Sequence, residues 1–488
     1  MACRIKHIAI RMWMTRLTLY VPCCIIYCLQ LSTLLVADDA SPPSHCLHRN
    51  RTIDCRNKNI NATFSFRISN VDYYNVLDLG ENNLNSIPRA AFASLSNLTT
   101  LLLDSNRISS IDISAFDGVT SLVDINLANN RLVKTPAALC SLKKLQDLNI
   151  TGNPITPARL DSICEKPFIG TVLMTLGKCL TSFSFGKEGL INQWPNALRH
   201  LNDLRKLHVT GLDVPVTSLI RFHDYRLTLK SLTFENSNLT ELPSNIAELT
   251  ELEELHIDHN KYNFSLEHTI EFIVDTVKVL SFKYDGKTSF SSKIRFPSHL
   301  QNLSLEGNNI KVLTDEFIQT LIPTNISVLS LKNCDLRRVP ASLSDVKTIK
   351  YVDLSNNKIV TIEAHDLTYL PNLLNLTLAF NPLKHISFNA FIGINSLRFV
   401  DLSNTDVTFI SKGLANLRSL EYLDLTNTGM ECTCDMVWVR LWFDENEMIG
   451  QHVTVKGACT TIDRYIDDYI NRRLPTCPEY IFKTSGIR

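Results

Sequence analysis

A stretch of eleven residues recurs along this chain about every 24 residues, and this recurrence constrains the fold more than any other feature. Four copies are "LTTLLLDSNRI" from Leu98, "LVDINLANNRL" from Leu122, "LQNLSLEGNNI" from Leu300 and "LLNLTLAFNPL" from Leu373. They share the pattern L-x-x-L-x-L-x-x-N-x-L. Fifteen copies align, with fourth-position residues Leu77, Leu101, Ile125, Leu148, Phe183, Leu207, Leu232, Leu255, Leu280, Leu303, Leu329, Val352, Leu376, Val400 and Leu423. Both the fourth and the sixth positions are apolar in every copy. In a chain that is 44% apolar, thirty matches in thirty have a chance of roughly 10⁻¹¹. The x-L-x-L-x core alternates with period two, which predicts a short strand with its leucines on one face. A single copy has nothing to bury that face against. Stacked copies bury one another's leucines in a continuous core.

This pattern is the leucine-rich repeat. The fold class it predicts is an α/β solenoid, a horseshoe of about 15 repeats with a parallel concave β-sheet and disulfide-capped ends. Strands about 4.8 Å apart would make a curved sheet roughly 70 Å long. The ninth position is asparagine in eight copies: Asn82, Asn106, Asn130, Asn153, Asn260, Asn308, Asn357 and Asn381. Its side chain can satisfy backbone groups where the chain turns off a buried strand. The other half of each unit, as in "IPRAAFASLSN" from Ile87, returns along the convex side. Repeats five to nine are irregular. The step from Leu148 to Phe183 is 35 residues, which places an insertion within Thr156–Cys179. Repeat nine carries "KYDGKTSFSSKIRFP" from Lys283. Such loops on a regular frame are either functional or simply degenerate repeats.

The chain begins with four cationic residues (Arg4, Lys6, Arg11, Arg16), an apolar run from Leu17 to Val36 and then "LLVADDA". That order predicts a secretory signal over residues 1–37, with cleavage after Ala37, and an uncleaved anchor is the alternative. The predicted division is then an N-terminal cysteine cap over 38–73, repeats over 74–430, a C-terminal cysteine cap over 431–477 and a tail over 478–488. The full chain has a formal net charge of zero. Loss of residues 1–37 leaves −4, so no basic excess points to nucleic acid. No later apolar run reaches membrane-spanning length, so the expected product is secreted and extracellular, with no membrane span after the signal. Ten of the 14 cysteines remain in a chain bound for an oxidising compartment, where pairing is the default.

A solenoid exposes leucine edges at both ends and needs caps. After the last repeat stand Cys432, Cys434, Cys459 and Cys477, with Trp438 and Trp442 placed i, i+4 to cover the end from one helix face. The motif "CTCDMVW" resembles the C-terminal cysteine cap, C-x-C-D-x-x-W, of animal extracellular leucine-rich-repeat proteins. The resemblance implies pairing of Cys432 with Cys459 and of Cys434 with Cys477. A zinc reading of the four cysteines lacks a second close C-x₂-C pair. "CLHRNRTIDC" looks like only the second half of the family's four-cysteine N-terminal cap, which implies a Cys46–Cys55 bridge. Cys334 stands at an asparagine position and reads as a free thiol. Cys140 and Cys164 lie at stacked convex positions, so they can pair, and Cys164–Cys179 is the rival.

No catalytic constellation is present: there is no G-x-S-x-G, H-E-x-x-H or phosphate-binding glycine loop, and no cofactor is implied. The sharpest polar cluster is "LHIDHN", where His256, Asp258 and His259 are joined from neighbouring strands by His208 and Glu235. These residues could converge on a metal or form a pH-sensitive patch, or be ordinary groups on a solvated sheet face. Tyr351, Phe399 and Tyr422 occupy the third position of repeats 12, 14 and 15, with Phe380 nearby at position eight. They form a candidate protein-binding patch, for which packing along the lane is the plain alternative. Nine glycan acceptor sequons occur, at Asn50, Asn61, Asn97, Asn149, Asn238, Asn263, Asn302, Asn325 and Asn375. Asn149, Asn302 and Asn375 fall on the strands, and a glycan on Asn375 would stand between Tyr351 and Phe399. The family resemblance implies a non-catalytic extracellular protein that binds a protein or glycan partner in adhesion, signalling or immune recognition. A structural matrix component or a non-catalytic subunit of a secreted complex is the alternative.

Overall fold

The computed structural model describes residues 46–61, 73–165, 170–213, 221–239, 242–260, 273–286, 294–448 and 452–484. The expected signal over 1–37, the sequon at Asn263 and residues 287–293 of the repeat-nine loop lie outside the described residues. The fold is a leucine-rich-repeat solenoid. Among the described residues its main sheet has 18 strands. Fifteen of them contain the fourth-position residues, which pair in unbroken parallel register from Leu77 to Leu423. All fifteen side chains are buried, as are the sixth-position side chains beside them. The regular strands are three residues long, because only three residues separate the first apolar contact from the turn.

The turn is held by the asparagines. Asn106 donates through Nδ2 to the carbonyls of Leu79 (2.9 Å) and Leu103 (3.1 Å), and its Oδ1 accepts from Leu84 N at 3.0 Å. One side chain thus satisfies buried backbone groups of two adjacent repeats. Repeats five and six have Glu188 and Leu212 in place of that asparagine. Without an amide to close the turn, the strands run on as Ser182–Ile191 and Lys206–Leu212, and the backbone groups pair across the extended ladder. Gly211 permits the irregularity in that ladder. Its φ is +74°, and a Cβ there would lie 2.3 Å from the carbonyl of Lys187.

The return segments carry short 3₁₀ turns, four of them entered from Pro136, Pro195, Pro243 and Pro340 in extended conformation. Other returns bury a phenylalanine instead, and Phe92 stacks on Phe116 of the next repeat at 6.4 Å. Both ends add a rung to the sheet. A hairpin of Leu47–Arg49 and Thr52–Asp54 is closed by the Cys46–Cys55 disulfide, and its second strand pairs in parallel with Val76–Asp78. At the far end Thr454–Lys456 pairs with Tyr422–Asp424. The helix Val437–Met448 follows the last repeat and packs against the cap segments, with Trp442 buried and Trp438 stacked on it at 6.2 Å. Disulfides Cys432–Cys459 and Cys434–Cys477 tie this helix to the segments that follow it. Cys140 pairs with Cys164, which fastens the insertion to the preceding repeat, while Cys179 and Cys334 are free thiols. Among the described residues no helix is long and apolar enough to cross a membrane.

Candidate functional site

Register decides which projecting side chains meet. In the third-position lane the order is Val328, Tyr351, Asn375, Phe399, Tyr422 and Thr454. Phe399 and Tyr422 are neighbours, with rings stacked 4.8 Å apart and inclined by 6°. The Lys456 ammonium sits 5.1 Å from the Tyr422 ring centre, and the Tyr422 hydroxyl donates to Asp424 at 3.2 Å. Tyr351 is exposed but is two rungs, about 10 Å, from Phe399 because Asn375 stands between them. Phe380 lies five positions further along its own repeat and does not join the lane. The four aromatics are therefore a stacked pair, one separate tyrosine and one separate phenylalanine.

The eighth position carries a signal that the repeat pattern alone does not announce. In fourteen of the fifteen repeats its φ is positive, between 46° and 75°. Asparagine fills it six times and glycine three times, the residues that tolerate this left-handed conformation. Phe380 occupies it with φ 57° and 55% of its surface exposed, so its ring has little packing to offset the backbone strain. The flanking repeats place Asn356 and Asn404 there. Glu81, Ser105, His259 and Tyr284 also depart from Asn and Gly at this position, and Phe380 is the most apolar of the departures and stands between two asparagine repeats.

The histidine cluster does not converge. His208 and His256 share a lane but are two rungs apart, with Thr233 between them. His208 Nε2 meets Glu235 Oε2 at 3.0 Å, a contact that holds the Glu235 carboxyl below its ordinary range, while burial pushes the His256 imidazole down. Asp258 accepts from Ser281 Oγ at 2.7 Å and Lys283 N at 3.0 Å. His259 stacks on Tyr284 at 4.6 Å, and Tyr284 donates to Glu306, which also holds Lys332 at 3.2 Å. Lane geometry keeps the ligands apart, and among the described residues no group of three His, Cys, Asp or Glu could hold a metal ion.

The sequons divide by exposure. Asn50, Asn61, Asn97, Asn238 and Asn325 are exposed, whereas Asn149, Asn302 and Asn375 on the strands are half-buried. Asn149 Oδ1 accepts from the backbone and hydroxyl of Thr151, at 3.0 and 2.8 Å, so its side chain is turned onto its own strand end.

Comparison with known proteins agrees with this architecture. A leucine-rich-repeat family model matches residues 55–108, 96–155, 324–383 and 347–407, which leaves the irregular middle unmatched. The chain is 26% identical over 240 residues to the volume-regulated anion channel subunit LRRC8A of Rattus norvegicus, covering 47% of this chain and 28% of that protein. It is 32% identical over 203 residues to Receptor-like protein 7 of Arabidopsis thaliana, covering 38% of this chain and 19% of the relative. It is 34% identical over 126 residues to Toll-like receptor 7 of Mus musculus, covering 24% and 12%. Its repeats are thus homologous to those of receptor-like and Toll-like proteins, and the chain spans less than a third of the length of these relatives. Among solved structures, the TLR13–ssRNA13 complex aligns with a TM-score of 0.47 and 19% identity, over 79% of this chain and 71% of that one. A likeness at that level carries nothing further.

Proposed function

We propose that this protein is a non-catalytic extracellular recognition protein that binds a protein partner on the concave side of repeats 12–15. The contact residues in this reading are Tyr351, Phe380, Phe399 and Tyr422. The observation that carries it is Phe380, an exposed ring held in a strained conformation that its neighbours fill with asparagine. Retaining strain without a packing return points to a role outside the fold. The stacked pair Phe399–Tyr422, with Lys456 over it, offers a flat amphipathic platform of the kind enriched in interface centres. Four disulfides suit an extracellular setting, and the receptor names among the relatives are consistent with recognition.

A second reading is favoured by a different observation. Tyr369, Phe388 and Phe409 are at least half exposed on the return segments of the same repeats. They suit a structural subunit held by its convex side. Staining of intact cells or tissue with a tetramerised tagged protein separates the two. Loss of staining with Tyr351→Ala plus Phe380→Asn, and retention with Phe388→Ser plus Phe409→Ser, supports concave recognition. The opposite pattern refutes it and favours the structural reading. Peptide mapping of Asn375 belongs with this experiment, since a fully occupied glycan there would block the lane between Tyr351 and Phe399.

A further inference from the structure

The insertion between repeats four and five builds a cavity on the edge of the sheet where strands begin. It is an open hollow of about 640 Å³ lined by Lys143, Lys144, Lys178 and Arg205 around the free thiol of Cys179. Asp203 is the only carboxylate among the described lining residues. The volume lies within the range of small-molecule sites.

The local sequence explains why these cations converge. The helix Val172–Leu176 buries Val172, Leu173 and Leu176 in the core. The next residue, Gly177, runs so close to the His200 carbonyl that a Cβ would lie 1.9 Å from it. This approach fixes Lys178 and Cys179 beside the segment that bears Asp203 and Arg205. The Cys140–Cys164 disulfide fastens the other end of the insertion next to Lys143 and Lys144.

The same edge is treated differently elsewhere. In the following repeats Glu253 bridges Lys230 at 2.6 Å and Lys278 at 2.9 Å, and further on Arg398 meets Glu421 at 3.4 Å. Around the cavity, Lys144, Lys178 and Arg205 have no carboxylate within ion-pair distance among the described residues. The four cations are solvent-exposed around an open concavity, where like charges gathered on curved walls focus a positive potential that draws small anions.

We propose that this cavity is a binding site for a small ligand bearing several oxyanion groups, sulfate or phosphate esters. A long polyanion is disfavoured because the basic lane ends at the neutralised Lys230–Glu253–Lys278 bridge and the chain has no net positive charge.

Cys179 supplies a reporter inside the site. It is half-buried, and burial pushes its thiol above the ordinary range while nearby Lys143 pulls it the other way. Native alkylation of the purified full chain by iodoacetamide is followed by peptide mass spectrometry. The probes are sucrose octasulfate and inositol hexakisphosphate, and the buried Cys334 reports any opening of the fold. At about ten times its dissociation constant, a bound probe slows Cys179 alkylation about tenfold. Protection is lost in Lys178→Glu plus Arg205→Glu, and also in the neutral pair Lys178→Gln plus Arg205→Gln. It also falls as salt is raised. Protection by the sulfate probe alone, or by the phosphate probe alone, assigns the ester. Protection by both makes the site general for oxyanions. Titration calorimetry with the same probes guards against a thiol too slow to report. The proposal is overturned if neither probe gives protection or binding heat, or if the charge variants are protected as well as the parent chain.

Discussion

Asn357→Ala is the sharpest test of what holds the turns. Asn357 is 6% exposed. Its Oδ1 accepts from Cys334 N at 2.9 Å and Leu336 N at 3.0 Å, and its Nδ2 donates to Leu331 O and Leu354 O, both at 2.8 Å. Alanine leaves two buried N–H groups without that acceptor. At about 1–3 kcal/mol for each orphaned group, the loss is about 2–6 kcal/mol. The preceding repeat supplies an internal control, because it carries Cys334 at the same position. The Cys334 thiol donates to Leu305 O at 3.1 Å, and the backbone has adjusted around it, with Ile310 N turning to Cys334 O at 3.0 Å. Cys334→Ala therefore loses one weak donor and costs about 1 kcal/mol. A long repeat array opens locally, so the informative readout is hydrogen exchange over Leu331–Leu336 rather than one melting temperature. A local loss of 2 kcal/mol speeds exchange about 30-fold. If Asn357→Ala exchanges no faster there than Cys334→Ala, the asparagine side chains do not hold the turns and the account given for the extended strands of repeats five and six fails with it.

Phe380→Asn should raise stability by about 1 kcal/mol, because asparagine tolerates the left-handed conformation that the ring occupies under strain. Denaturant unfolding checks this, and in the proposed function the same variant binds its partner less well. Gly211→Ala should cost about 2 kcal/mol or more, since the added methyl meets the Lys187 backbone at 2.3 Å and φ is +74°, and a lowered denaturant midpoint reports it. The Glu253 carboxyl is drawn down to about 2, first by its hydrogen bond from Lys230 and then by that from Lys278. Its contribution is present above the unfolded-state value of 4.5 and is lost as pH falls through about 2. Glu253→Gln should remove that acid-sensitive component from the melting-temperature profile between those values. It should change neutral-pH stability by less than about 1 kcal/mol, because the pair is solvent-screened.

The strands were legible because their positions are set by burial. A leucine that must face the core leaves a period-two mark, and the fourth-position residues from Leu77 to Leu423 all fall on strands of the main sheet and are buried. The extra rungs at Ile53 and Val455 were not legible, because each cap contributes a single strand and a single strand has no period. The extension of Ser182–Ile191 was present only as a missing asparagine at Glu188, an absence that does not say what replaces the turn. The histidine cluster could not be resolved from the sequence for a geometric reason. Residues close in sequence sit in different lanes, so "HIDH" sends His256 to the sheet face, Asp258 to Ser281 and His259 to Tyr284. The basic cavity was missed because its cations come from two repeats and an insertion, and no local motif joins Lys143 to Arg205.

These two surfaces can be separated physically, which makes the functional readings independent. Arg205 precedes the strand of repeat six and Tyr351 lies on that of repeat 12, so six rungs of about 4.8 Å place them roughly 30 Å apart along the sheet. At ordinary ionic strength that is several screening lengths, so charge changes at the cavity leave the field at the aromatic platform nearly unaltered. Stability in a solenoid is carried by nearest-neighbour contacts, so surface substitutions at one site are not transmitted through the core to the other. Lys178→Gln plus Arg205→Gln should therefore abolish oxyanion protection of Cys179 while leaving partner staining intact, and Phe380→Asn should do the reverse. A charge pair that abolished both would mean that the anion and the partner are parts of one ligand spanning the concave arc, and the two sites would then have to be read as one.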